Sequence, residues 1–297
     1  MISPKNTKKA QAVRQRQLRA VIQLIFFIVM PSAFVAGFSG VKYIFTQIGT
    51  GSVLERNSFL LVLIGLAVFT ILFGRYFCGY VCAFGTLGDF VYRVSGFIQE
   101  KLFQNRKRKQ FSLAVLLPES CFLALQKVKY VILLLIVILC TLGIYGKMAG
   151  TSPWDVFSMV TAGRFNLKGY AAGVVILLLI VTGMALQERF FCQFLCPMGA
   201  VFALLPILPA AVLKRREENC RKGCSLCRKK CPVQLKLEAD SLLSGECIRC
   251  GRCAAACPGE NIHSFAGRLT GSEVWLVIMK AVLFFFMGTA LGLCRFL

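Results

Sequence analysis

Five apolar stretches, at roughly 21–38, 59–77, 130–146, 170–187 and 274–294, constrain this chain more than any other feature. Each is long enough, or nearly so, to cross a hydrocarbon core of about 30 Å. Inside such a core every backbone N–H and C=O must find its partner within the chain, so these stretches predict helices. Pro31 interrupts the first, which membrane helices tolerate. The chain is 57% hydrophobic, above the ~45–50% of a soluble globular domain. Two further apolar segments read as interfacial or re-entrant: 198–213, broken by Pro206 and Pro209, and 111–125, which contains Pro118 and Glu119.

The net charge of +22 invites a nucleic-acid reading. The placement of the charges argues against it, since the basic residues form no stripe with interleaved aromatics. Six Lys and Arg lie in 1–20, nine between Arg75 and Lys129, and thirteen between Arg189 and Arg268. Only two lie in 39–58, three in 147–169, and Arg295 alone follows the last stretch. The rich side of a membrane protein faces the cytoplasm. This predicts a multi-pass protein of the bacterial cytoplasmic membrane, N-terminus inside and C-terminus outside. The basic run before the first stretch resembles a signal peptide; with no evident small-x-small cleavage site, it reads as an anchor.

An internal repeat follows the second and fourth stretches. Arg75-Tyr76-Phe77-Cys78 continues to Cys82 and Gly85, and Arg189-Phe190-Phe191-Cys192 continues to Cys196 and Gly199. Both copies run from outside to inside, so the halves are parallel repeats. On a regular helix Cys78 and Cys82 would share one face, as would Cys192 and Cys196. Three readings stay open for these four thiols: ligands of a further metal or Fe–S centre, a redox-active dithiol relay, or small packing residues. Arg75 and Arg189 beside them either lower the thiol pKa or mark the membrane edge.

Eight more cysteines form two runs, Cys220-x3-Cys224-x2-Cys227-x3-Cys231-Pro232 and Cys247-x2-Cys250-x2-Cys253-x3-Cys257-Pro258. The second is the bacterial ferredoxin spacing, and the first carries one extra residue. Three closely spaced thiolates wrap three corners of one [4Fe–4S] cube, while the fourth, carried off by the Cys-Pro turn, reaches the other cube. Cys220, Cys224, Cys227 and Cys257 are therefore assigned to one cluster, and Cys231, Cys247, Cys250 and Cys253 to a second, on a compact βαββαβ-type unit. Structural zinc uses pairs of Cys-x2–4-Cys rather than four-cysteine runs closed by Cys-Pro.

The fold class is thus an internally duplicated α-helical membrane bundle of about five transmembrane helices with a small α+β ferredoxin-like domain for two clusters. The divisions are a basic cytoplasmic N-terminus at 1–20, a membrane domain at 21–213, the cytoplasmic two-cluster domain at 214–272 and a C-terminal transmembrane helix at 273–297. From 212 to 272 there are twelve Lys/Arg and six Asp/Glu, a basic surface suited to lipid headgroups or to an acidic ferredoxin or flavodoxin. His263 is the only histidine and lies outside every apolar stretch, so no haem is expected in the bundle. If electrons cross the membrane, a quinone or a partner redox protein must carry them. Lys280, near the inner end of the last stretch, reads as snorkelling. Trp154, in the outer turn, reads as an interface anchor. Cys121, Cys140 and Cys294 read as packing residues.

Twin Cys-x3-Cys motifs after membrane spans, followed by a two-cluster ferredoxin run, resemble the NapH/NosR/MauN group of membrane polyferredoxins over about residues 20–270. The resemblance implies electron passage between membrane quinol or cytoplasmic donors and periplasmic reductases, with Cys78, Cys82, Cys192 and Cys196 as the twin redox motif. It equally implies a role in maturing a respiratory enzyme, for example by metal-ion reduction. A redox-sensing regulator is a further alternative. The first motif ends in Cys82-Ala83 rather than Cys-Pro, and an apolar stretch follows the clusters; both depart from the group's pattern.

Overall fold

Pro31 splits the first expected span. Helix α1, Pro4–Val29, stops short of it and α2, Ala33–Thr50, departs at a bend of 63°, because proline lacks the N–H and clashes with the preceding turn. The structure, a computed structural model, describes residues 4–102, 118–161, 163, 169–208, 213–215, 220, 224–235, 245–264, 267–269 and 273–295. Helix α3, Ser58–Phe73, is capped by Asn57, whose side chain accepts from the Phe59 N–H, and ends at Gly74 with φ +70°. A single π turn, Phe77–Val81, leads into α4, Ala83–Leu102. Helix α5, Glu119–Thr141, is followed by a 3-10 segment at Tyr145–Thr151 and by α6, Pro153–Thr161. The second repeat copies the first: α7, Ala171–Leu186, a π turn at Phe191–Leu195, and α8, Pro197–Leu204.

The chain is mostly helical, but α3, α7 and the last helix are shorter than the apolar stretches predict, while α5 is longer. Among the described residues only α5 is long and apolar enough by itself to cross a bilayer, and the bent α1–α2 pair makes a second if counted as one span. Helices α3, α7 and α11 (Val274–Ala290) have 16, 16 and 17 residues, or about 24–26 Å at 1.5 Å per residue. Gly74 ends α3 before the cysteine motif instead of letting one helix run through it. Helix α5 starts eleven residues before the expected span, so 119–125 form its first turns; residues 111–117 lie outside the described set. Helix α8 ends before Pro206, with Ala200 and Phe202 buried.

Leu61, Ile64 and Val68 on α3, Val131, Leu134 and Leu135 on α5, Leu178 and Leu179 on α7 and Leu283 and Phe286 on α11 are all exposed. The interior between these helices is aromatic. Phe84 stacks on Phe191 at 4.7 Å and contacts Phe34 and Phe157, while Phe284 meets Phe26, Phe69 and Phe77. Trp154 belongs to this core, edge-on to Phe38 and Phe191 and 7% exposed. It is not the interface anchor expected, because α6 turns it inward.

The ferredoxin-type unit is small. Strands β1 (Lys214–Arg215), β2 (Ile262–Ser264) and β3 (Gly267–Leu269) form one antiparallel sheet in that order, with Arg215 opposite Ile262 and His263 opposite Arg268. Helices α9, Leu226–Lys230, and α10, Arg252–Ala256, pack together over Leu213, Cys227, Ala254 and Ile262. Each helix ends in Cys-Pro and then a residue at positive φ three positions past the cysteine, Gln234 at 53° and Glu260 at 52°. The central strands of a complete βαββαβ unit would fall in 236–244, outside the described residues.

Candidate functional site

The twin motifs do not sit on regular helix. Each copy opens one turn wider, with Cys82 N–H donating to Phe77 O and Cys196 N–H to Phe191 O, both five residues back. Single π turns of this kind gather at functional sites. The wider turn throws the second cysteine of each pair out of the i,i+4 register, and Cys196 becomes the N-cap of α8, accepting from Gly199 N–H at 3.1 Å. Cys78, Cys82, Cys192 and Cys196 are all buried and neighbour one another across the two repeats. Burial pushes Cys78, Cys82 and Cys196 up, and neighbouring thiols add to it. Beside Cys78 the arginines oppose this without prevailing, so burial outweighs the thiolate-activating role considered from sequence.

The repeats are locked by exchanged arginines. Arg189 Nη1 donates to Cys78 O at 2.6 Å and Nη2 to Gly79 O at 3.3 Å; a Cβ on Gly85 would collide with it. Arg75 reaches toward the other repeat, with its Nη2 2.9 Å from where a Cβ on Gly199 would stand, but its Nη1 donates to Gly245 O and Glu246 rather than to that repeat's backbone. This explains the glycine three residues after each second cysteine. The counter-ions are different in the two halves. Asp89 on α4 accepts from Arg189 Nε at 2.8 Å and Nη2 at 2.6 Å, from Arg19 Nη2 at 2.6 Å and from Gln23 Nε2 at 2.8 Å. Burial pushes its carboxyl up, but Arg189 and Arg19 outweigh this and hold it well below the usual carboxylate range. In the other half Glu246, just before Cys247, takes Arg75 Nη1 at 3.0 Å, Tyr130 Oη at 2.6 Å and a very short contact from Lys129. Sequence reasoning missed Arg19, Asp89, Lys129 and Glu246. A carboxylate four residues past the motif glycine, with no acid in the matching place of the second repeat, was the available signal for Asp89.

In the ferredoxin-type unit Cys253 neighbours Cys247, Cys250 and Cys231, and Cys231 neighbours Cys250 and Cys247. Cys227 on α9 neighbours Cys257 at the end of α10. Burial pushes Cys231 up to about 12, with Cys250 and Cys247 adding to it, and pushes Cys247, Cys253 and Cys227 up as well. Loading such thiols with metal must release protons. Asn261 N–H donates to Cys257 Sγ at 3.4 Å, and the Leu235 N–H faces Cys231 in the matching place. Arg215 Nη2 donates to Cys220 Sγ at 3.0 Å. N–H donors on sulfur, and thiols of one run standing beside thiols of the other, suit iron–sulfur ligation. Among the described residues no three His, Cys, Asp or Glu side chains stand close enough to hold a single ion. A cube spreads its thiolates over separate corners and needs no such group. Cys140 is buried, Cys294 half-buried and Cys121 exposed.

The unit sits directly on the twin motif. Cys250 O accepts from Gln15 Nε2 at 3.0 Å and Tyr80 Oη at 3.4 Å, and Pro232 O from Gln193 Nε2 at 2.7 Å. Gly79 lies so close to Ile248 O that a Cβ would overlap it. Gly79→Ala is therefore expected to cost about 1–3 kcal/mol by overpacking, read as a lower thermal midpoint and faster protease cleavage of the 214–272 region. An unchanged midpoint and cleavage rate would show that the two parts do not meet at Gly79. Beside this junction is a cavity of about 290 Å³, lined by Gln15, Phe73, Tyr80, Arg249 and Lys280 among others. Arg249 Nε and Nη2 are buried without a hydrogen-bond partner.

A family model described as a 4Fe-4S binding domain matches residues 58–109 and 171–215. These are the two repeats with their twin motifs, rather than the eight-cysteine region. An uncharacterized protein of Methanocaldococcus jannaschii is 32% identical over 81% of this chain and 91% of its own length. The putative electron transport protein YccM of Escherichia coli is 26% identical over 78% of this chain and 62% of its own. The ferredoxin-type protein NapH of Haemophilus influenzae is 26% identical over 71% of this chain and 70% of its own. No solved structure matches.

Proposed function

The chain belongs to the NapH/NosR-type polyferredoxin family, an iron–sulfur electron-transfer family, and from that premise we propose a multi-pass membrane electron carrier with two [4Fe–4S] clusters. Cys220, Cys224, Cys227 and Cys257 hold one cluster, and Cys231, Cys247, Cys250 and Cys253 the other. When bound, these clusters supply one-electron transfer. The observation that carries the reading is the docking just described: Cys250 O of the Cys247–Cys253 loop takes Gln15 and Tyr80, Glu246 just before the loop takes Arg75, and Pro232 O after the first run takes Gln193. A ligand loop held by buried hydrogen bonds keeps its geometry during electron transfer and stays fixed to the helical part. The apolar outward faces of α3, α5, α7 and α11 support placement in a lipid bilayer, with 1–20 and 214–272 on the cytoplasmic side. Gln15 of α1 bonds Cys250 O, which agrees with these two segments sharing a face.

The electrons come from the quinone pool and leave to a partner redox protein. The 290 Å³ cavity supports the quinone part of this reading. Phe73 and Tyr80 contribute aromatic wall to the cavity. Arg249, with two free N–H groups, and Lys280, 5.7 Å from the Phe73 ring centre, offer donors to its two carbonyl oxygens. Gly251 and Ala254 in the cavity wall belong to the same loop and helix as Cys250 and Cys253, so the distance to be crossed is short.

The test is anaerobic reduction of the purified, iron-loaded protein by a water-soluble quinol, followed by bleaching of the cluster absorbance. Arg249→Gln is expected to raise the quinol concentration for half-maximal rate about tenfold, the worth of one charge-assisted hydrogen bond, while dithionite still bleaches the protein fully. Equal rates for both proteins would remove the cavity from the electron path. A wild type that quinol cannot reduce at any concentration would leave a cytoplasmic carrier as donor.

A further inference from the structure

The two cysteine runs differ at one residue that the fold treats in an unusual way. Arg249 precedes the second cysteine of its run, and the matching place in the first run is Gly223. Arg249 stands at φ +54°, in the left-handed region that L side chains rarely adopt. Its Nε and Nη2 are buried without a hydrogen-bond partner. Among the described residues no carboxylate pairs with it. Gly74, at the end of α3, makes room for the guanidinium: a Cβ there would lie 2.5 Å from Arg249 Nε. A strained backbone that holds an unanswered cation points to a use for that cation.

The neighbours of Arg249 say which use. It lies beside Cys247 and Cys253, two of the three thiols that its own run gives to one cluster. Two further guanidinium groups approach the same loop. Arg19, 2% exposed, donates from Nε to Gly79 O at 3.0 Å, and the place of a Cβ on Gly79 is 3.8 Å from Cys250 N. Arg252 neighbours Cys250. Asp89 and Glu188 answer these two, which leaves Arg249 as the unmatched charge of the loop. In the other cysteine set Arg215 donates to Cys220 Sγ, so each set has its own cation.

We infer that Arg249 is a positioning residue for electron entry: its charge raises the reduction potential of the cluster of Cys231, Cys247, Cys250 and Cys253, selectively over the other cluster. The inference rests on the two-cluster reading above. A four-thiolate cube gains one negative charge on reduction, and net charge and burial set its potential. A fixed cation therefore stabilises the reduced form, more so where little water screens it. The cluster that rests on the helical part becomes the better acceptor for electrons arriving from it. Charge acts at a distance, so a hydrogen bond from Arg249 to a quinone oxygen does not compete with this role.

The test is an anaerobic redox titration of full-length protein in detergent with dithionite as reductant and no quinol, followed by absorbance and electron paramagnetic resonance. Arg249→Gln should still hold about eight iron atoms per chain. It should lower the potential of one cluster by about a tenfold change in the reduction equilibrium, or ~59 mV for one electron. The other cluster should move clearly less. Arg249→Lys keeps the charge and should restore most of the shift, which a packing role would not do. In the Cys257→Ser background, which leaves the docked cluster, Arg249→Gln should reproduce the shift. Eight iron atoms with both potentials unchanged, or with both lowered equally, overturns the inference and leaves the two-cluster reading standing. Fewer than eight in the wild type overturns both. If Arg249→Gln fails to retain its iron, Arg249→Asn is titrated instead, since asparagine is equally neutral and suits positive φ; the same outcomes decide.

Discussion

Asp89→Asn is expected to destabilise this protein by about 3–5 kcal/mol, the cost of removing one partner from a buried ion pair. Asp89 is 4% exposed, while Arg19 and Arg189 are 2% and 1% exposed. Asparagine keeps the shape and loses the charge, so two guanidinium groups would remain buried with no anion between them. The damage would spread beyond α4, because Arg189 ties Cys78 O and Gly79 O to the second repeat, and Arg19 ties α1 to Gly79. A clear fall in thermal midpoint in detergent, or loss of the monodisperse species, is the expected reading. Asp155→Asn is the control: Asp155 is 31% exposed and 4.0 Å from Lys42, and such a pair contributes about 0–1 kcal/mol. Equal midpoints for the two variants would mean that Asp89 does not hold the repeats together. The sign with pH follows from the depressed carboxyl. Its folded pKa lies below the unfolded value of about 3.9. The contribution of Asp89 is therefore complete above that value, and it declines as pH falls toward the folded pKa. The wild type should lose stability in acid through this range, and Asp89→Asn should lose less.

Much of the site was legible because cysteine spacing is a geometric code. Two runs closed by Cys-Pro pointed to two interlocked thiol sets. Cys231 stands beside Cys247, Cys250 and Cys253 of the other run. The repeat was legible position by position, including the glycines whose purpose appears only when Arg75 is seen to reach Gly199 and Arg189 to reach Gly85. Hydropathy located the apolar helices but overstated the length of α3, α7 and α11 and understated that of α5. It counts apolar residues and is blind to backbone breaks at Pro31 and Gly74, and to the π turns that follow α3 and α7. The ion pairs were hidden for another reason. Glu246 and Lys129 are 117 residues apart, and Asp89 and Arg189 are 100 apart. No local pattern joins them, and each looks like an ordinary loop or membrane-edge charge until the fold brings it inside.

Crosswise ligation carries the second large prediction. Cys231→Ser removes a thiol from the first run, yet the cluster expected to fall is the one held by Cys247, Cys250 and Cys253. Cys257→Ser removes a thiol from the second run and should cost the cluster of Cys220, Cys224 and Cys227. Each single variant is expected to lose about four iron atoms per chain. Pairs of substitutions then decide between crosswise and run-by-run ligation. Under crosswise ligation, Cys231→Ser with Cys247→Ser loses no more iron than either alone, because both thiols serve one cube. Cys231→Ser with Cys220→Ser loses about eight, because they serve different cubes. Run-by-run ligation predicts the reverse for both pairs. The geometry favours the crosswise result: α9 and α10 pack against each other, and each delivers its last cysteine past its own end through a Cys-Pro turn. The same two variants separate the electron path. Cys231→Ser is expected to remove the proposed cluster whose ligand Cys250 is bonded through its carbonyl by Tyr80 and Gln15, and so to abolish reduction of the remaining cluster by quinol. Cys257→Ser keeps the docked cluster and should still accept electrons from quinol. If both variants reduce at the same rate, electrons enter the ferredoxin-type unit elsewhere than at the twin-motif face.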